Sequence, residues 1–133
     1  MEIFQIITLS LSGLMLFFVG IMRLFKPANS YCLKTYLANP NNTLNNDRDL
    51  SNEMRGIGSV TLFAGILILL GLLLSDFRFT SFIVATLVFV GFALGRILSQ
   101  VVDGKPSKDL IQGLVFELIF GTLNLICLIY LLT

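Results

Sequence analysis

A chain of 133 residues that is 56% hydrophobic and only 13% charged, with a mean hydropathy of +0.90, has too little polar surface for a water-soluble domain, where about a quarter of residues are charged. So short a chain also lacks the interior volume to hide that apolar surface, which must therefore face lipid. The net charge of +1 argues against a nucleic-acid partner, and the absence of His and Trp removes the commonest metal and haem ligand and the commonest general base.

Twenty residues without a charge run from Ile3 to Met22, and another twenty from Gly56 to Ser75. Each is about the length that crosses a ~30 Å hydrocarbon layer at 1.5 Å per residue. A third run, Phe79 to Val102, is broken only by Arg96, and a fourth, Leu110 to Leu132, only by Glu117. The pattern predicts one all-α domain over residues 1–133, an integral membrane up-down four-helix bundle with helices at about 3–25, 51–75, 79–102 and 108–131. The first run could instead be a cleaved signal peptide, but it carries Glu2, lacks a basic start and has no small-x-small site before Arg23.

Connections follow in chain order. A long polar loop, about 26–50, separates the first two helices; its middle, Tyr31 to Leu37, is expected to form a short interfacial helix, and Asn39 to Asn46 irregular loop. Asp49 or Ser51 is expected to cap the second helix. Asp76-Phe77-Arg78 forms a tight turn. Gly104 and Pro106 break the chain before the fourth helix, which Ser107 caps with Asp109 in its first turn. Short connections make sequential helices antiparallel neighbours. Arg23, Lys26, Lys34, Arg48, Arg55, Arg96, Lys105 and Lys108 belong to one side of the bundle and Arg78 alone to the other. That bias predicts both termini outside and the long loop in the cytoplasm, leaving a sequon at Asn41 unused.

Ionisable groups inside a membrane carry the most information about function. Arg96 and Glu117 both lie roughly 10–12 Å from the third turn, at nearly equal depth, and are placed to pair. Arg96, Ser99, Gln100 and Asp103 share one face of the third helix, and Gly113, Glu117, Gly121 and Asn124 one face of the fourth. With Arg55 and Ser59 from the second helix, these faces are expected to converge on a polar pocket open to the cytoplasm. An ion pair that only locks two helices together is an equally serious alternative. Gly91, Gly95 and Ser99 form a small-residue ridge expected to serve close helix packing or a dimer contact. Asn124 reads as an interhelical hydrogen bond and Tyr130 as an interfacial anchor. Asn45, Asp47, Asp49 and Glu53 only superficially resemble a calcium loop, since no Gly stands at the sixth position and no acid at the twelfth. Cys32 and Cys127 read as free thiols.

The stretches Arg55-Gly56-Ile57-Gly58, Gly95-Arg96-Ile97-Leu98-Ser99 and Asp103-Gly104-Lys105-Pro106-Ser107, followed by Glu117, resemble a family of small bacterial four-helix membrane proteins, domain-of-unknown-function family 4345. The resemblance covers nearly the whole chain, apart from the Asn-rich loop. It implies a bacterial inner (plasma) membrane protein and brings no activity.

Three functions remain from the residues themselves. One is a non-enzymatic pocket in which Arg55 and Arg96 meet a lipid or small anionic amphiphile, Ser99 and Gln100 add hydrogen bonds and Glu117 orients Arg96. A second is an accessory subunit that binds another membrane protein or a second copy of itself. Transport is the third and would require an oligomer. Catalysis has the least support, because no nucleophile–base pair, metal cluster or phosphate-binding loop is present, and neither metal nor cofactor is expected.

Overall fold

The computed structural model describes residues 1–30, 33, 36–43 and 48–133. Four long helices cross the bundle: α1 Glu2–Phe25, α2 Arg48–Leu73, α3 Arg78–Val102 and α4 Lys108–Leu132. All four are long and apolar enough to span a membrane, and the fold is an integral membrane four-helix bundle.

Helix ends differ from expectation in detail. α2 begins at Arg48, so Asp49 and Ser51 lie inside its first turn and do not cap it. It stops at Leu73 because Ser75–Phe77 tightens into a 3₁₀ turn that leads directly into α3. Ser107 occupies the N-cap position of α4 with extended backbone, but its side chain makes no capping hydrogen bond. Among the described residues Gly104 alone carries a positive φ, +97°, a conformation glycine adopts without the Cβ clash of other residues. The expected interfacial helix around Tyr31, along with Cys32, Asn45 and Asp47, falls largely outside the described residues. Where the loop is described, Asn41 donates its amide to Asn39 Oδ1 at 3.1 Å and Asn42 Nδ2 donates to the Tyr36 carbonyl at 3.0 Å, local turn bonds suited to an irregular segment.

Glycine determines how the helices pack. A Cβ built on Gly20 would strike the Leu62 backbone, one on Gly65 would meet the Phe17 amide at 2.6 Å, one on Gly58 the Leu24 amide at 2.6 Å, and one on Gly13 the Leu69 side chain at 2.7 Å. Gly13 and Gly20 on α1, and Gly58 and Gly65 on α2, are each seven apart, two turns of helix. They bring the two backbones together along an antiparallel seam, the close approach that drives association where water expulsion cannot. Gly71 makes the same allowance for Ser81, whose hydroxyl donates to the Leu67 carbonyl at 2.9 Å, joining α2 to α3 beside their turn. Gly121 faces Val90 on α3, and the Phe89 and Phe120 rings stack at 5.4 Å.

Leu9, Leu16, Ile68, Phe82 and Phe89 form the dry centre. Outward faces carry exposed Ile3, Val60, Phe63, Leu87 and Leu94, which lipid would cover. α1 also closes onto α4, where Asn124 Nδ2 donates to Ser12 Oγ at 2.8 Å and to the Phe120 carbonyl at 2.8 Å. At the end holding Met1 and the 75–77 turn, Arg78 meets Glu2 at 3.2 Å. The opposite end, the loop end, holds the end of α1, the start of α2 and the Asp103–Ser107 turn.

The seam makes a direct prediction. Gly65→Ala should lose about 1–3 kcal/mol to overpacking, more than the roughly 1 kcal/mol that Ala gains over Gly in helix propensity. Gly95→Ala, where a Cβ meets nothing within 4 Å, should be neutral or slightly stabilising. Thermal unfolding of the two purified variants separates them, and equal midpoints would mean that α1 and α2 are not in backbone contact.

Candidate functional site

Arg96 sits a little over a turn and a half from the end of α3. Its Nε donates to both oxygens of Glu117 on α4, at 2.9 and 2.7 Å. The Glu117 side chain is only 7% exposed and that of Arg96 17%. A carboxylate at this depth requires a partner, because removing its hydration costs several kcal/mol.

A second guanidinium lies close by. Arg23, in the last turn of α1, is 4% exposed and stands 5.5 Å over the Phe92 ring of α3, within cation–π range. Gly58 makes this position possible, since a Cβ there would meet Arg23 Cβ at 2.8 Å. In the sequence Arg23 reads only as one of the basic residues that set orientation. The signal is nevertheless present: Gln5, Thr8, Ser12, Leu16, Gly20 and Arg23 recur at three- and four-residue steps, and that stripe, polar, small or charged at all but Leu16, lies on the buried face of α1.

Arg23, Arg96 and Ser99 line a cavity of about 420 Å³ at the loop end, walled also by Met54, Phe92 and Gly95. A neighbouring groove of about 570 Å³ runs between α2 and α3. The two share Ile57, Gly91 and Phe92 and so adjoin; both are walled mainly by apolar side chains, and Arg23, Arg96 and Ser99 are the polar groups of the first. Their origin is the splay of α2 from α3: the helices are joined at the 75–77 turn and the Gly71–Ser81 contact, while α2 follows α1 along the glycine seam and α3 follows α4.

The other expected site residues are dispersed. Arg55 is exposed and does not enter the cavity; its Nη1 donates to the Leu24 carbonyl at 2.6 Å, satisfying one of the orphan carbonyls that end α1. Ser99 donates to Asp103 Oδ2 at 2.9 Å within its own helix, and Asp103 is exposed at the α3 C-cap. Gln100 is half-buried and forms no part of the cavity wall. Asn124 lies two turns deeper than Glu117, in the contact with Ser12, and belongs to the core. Gly113 and Gly121 are buried in α4. Gly91 and Gly95 correct the intrachain packing expected of them: both face outward, with nothing within 4 Å of a Cβ, because that side of α3 borders the groove and meets no helix. Among the described residues no group of His, Cys, Asp and Glu could hold a metal ion.

The pair makes a testable demand. Arg96→Ala removes the hydrogen-bonded partner of buried Glu117, leaving only Arg23 nearby, and should cost up to about 3–5 kcal/mol, whereas Lys105→Ala, on the exposed turn, should change stability by less than about 0.5 kcal/mol. Replacing both partners, Arg96→Leu with Glu117→Leu, should recover most of the loss. Denaturation midpoints in one detergent decide the matter, and a double variant as unstable as Arg96→Ala would refute the pairing argument.

The model of the family described as Domain of unknown function (DUF4345) matches residues 3–128. No curated protein and no solved structure matches the chain.

Proposed function

The chain belongs to this family of unknown function, and we propose that it is a non-enzymatic membrane protein whose loop-end cavity binds the head group of a lipid or small anionic amphiphile. The observation that supports this reading is a cavity lined by Arg23 and Arg96 that adjoins an open groove between α2 and α3. Guanidiniums offer several N–H donors in a fixed fork, suited to carboxylate or phosphate oxygens. Phe92 and the groove walls supply the apolar half that an amphiphile requires. Glu117 holds Arg96 in place, and Ser99 adds a hydroxyl at the rim.

Basic residues concentrate at the same end, which supports a cavity on the cytoplasmic side and both termini outside, in what we take to be a bacterial inner membrane. A second reading, docking of a partner membrane protein or a second copy, is favoured by the open space above Gly91 and Gly95, small residues of the kind that let a neighbouring helix approach.

Binding of anionic lipid is the test. Protein moved into phosphatidylcholine nanodiscs should gain thermal stability when phosphatidylglycerol is added and should retain the anionic lipid in native mass spectrometry. Arg23→Gln should weaken that binding at least tenfold, since a charged hydrogen bond contributes about 1.5–3 kcal/mol. Indifference to head-group charge in both measurements would refute the proposal.

A further inference from the structure

A much smaller cavity, of about 20 Å³, lies in the interior of the bundle. It shares Arg23 and Phe92 with the loop-end cavity and reaches deeper, to Leu16 and Phe89 at the edge of the dry centre. All four helices wall it, and three of them bring a buried polar side chain: Arg23 from α1, Thr61 from α2 and Glu117 from α4. Room for a water molecule begins at about 10–15 Å³, and a hole of that size lined only by hydrocarbon stays dry, whereas one with two or more polar partners is wet. This space takes one water and is too small for an organic ligand.

The protons already in use decide what fits. Thr61 donates its hydroxyl proton to the Ile57 carbonyl at 2.7 Å, so toward the cavity it can only accept. Glu117 takes two contacts from Arg96 Nε, at 2.9 and 2.7 Å, and a carboxylate with about four lone-pair positions has capacity left. Two acceptors from different helices can be joined only by a molecule that brings two protons. A bare cation would have to sit against the Arg23 guanidinium and a halide against the Glu117 carboxylate, whereas a neutral donor and acceptor suits both. We infer that this cavity binds one water molecule, which donates to a Glu117 oxygen and to Thr61 Oγ1 and turns its own oxygen toward the Arg23 guanidinium. Thr61 is the residue that α2 contributes to this wall, so the water ties α2 to the Arg96–Glu117 pair at a level where α2 and α3 stand apart. Its way in and out is past Arg23 and Phe92, through the loop-end cavity. None of this depends on the anion-binding reading.

Two measurements on the full chain in phosphatidylcholine nanodiscs test the site. A structure at a resolution that shows ordered water should carry one peak within about 3 Å of both a Glu117 oxygen and Thr61 Oγ1. NMR cross-relaxation from the water signal should reach the methyl group of Met15, which also lines the cavity, with the sign of a long-lived bound molecule. Thr61→Ser keeps the hydroxyl and should keep both signals. Thr61→Val keeps the shape, removes the acceptor and should lose both. A cavity without a peak and without cross-relaxation in the unaltered protein would overturn the inference. So would a peak that survives Thr61→Val, since the water would then be held without α2. Should Thr61→Val fail to fold, the unaltered protein and Thr61→Ser still decide, because loss of either signal in Thr61→Ser counts against the hydroxyl as the water's partner. No amphiphile is added in these measurements, so their failure would leave the anion site standing.

Discussion

Where α1 and α2 touch, glycine hydrogens alone separate the two backbones at Gly20 and Gly65. In a bilayer, apolar side chains gain little by leaving lipid for one another, so close contact and hydrogen bonding must hold helices together. The seam fixes α2 to α1 over nearly its whole length. α3 is tied to α4 by ring stacking, Gly121 and the Arg96–Glu117 bond. The bundle is therefore two tight hairpin halves that share a turn, with α2 and α3 in contact near that turn and apart from it elsewhere. The groove follows from this asymmetry.

Burial gives the charged cluster its character. Glu117 and Arg96 are held by each other, and Arg23 comes from the opposite half of the bundle to sit over Phe92. A guanidinium from α1, another from α3 and a carboxylate from α4 thus meet near one level, close to the loop end. They staple the two halves together where α2 and α3 part, and they leave Arg-lined space beside an apolar channel. Bracing does not remove Arg96 from the cavity: it bonds Glu117 through its Nε and also forms part of the cavity wall.

Much of the architecture was legible in the sequence because hydropathy and length act locally. Four apolar runs interrupted by single charges give four helices within a few residues of their observed ends, and equal depth from a short turn sets Arg96 opposite Glu117. The remainder depended on which faces meet. Arg55 lies on α2 where an anion site could draw on it, yet the α1–α2 register points it at the end of α1. Gly91 and Gly95 look like a packing ridge by spacing alone, and so do Gly13 and Gly20. Only the three-dimensional arrangement shows that the second pair is pressed against a helix and the first opens on a groove. Arg23 was hidden by its place near a helix end, where a surface charge is the ordinary expectation.

The five-residue turn between α3 and α4, Asp103–Ser107, has a consequence for biogenesis. Arg96 is made before Glu117, so a third segment released alone into lipid would carry a bare guanidinium into the hydrocarbon. The brevity of the connection instead obliges both segments to partition together, with the carboxylate arriving as the cation enters. The earlier hairpin is held chiefly by glycine against backbone, contacts that can form as soon as α2 emerges, while its buried Arg23 meets Phe92 only once α3 is in place. Assembly thus has a built-in order: a first pair that associates by shape, then a second that crosses as one electrically balanced unit.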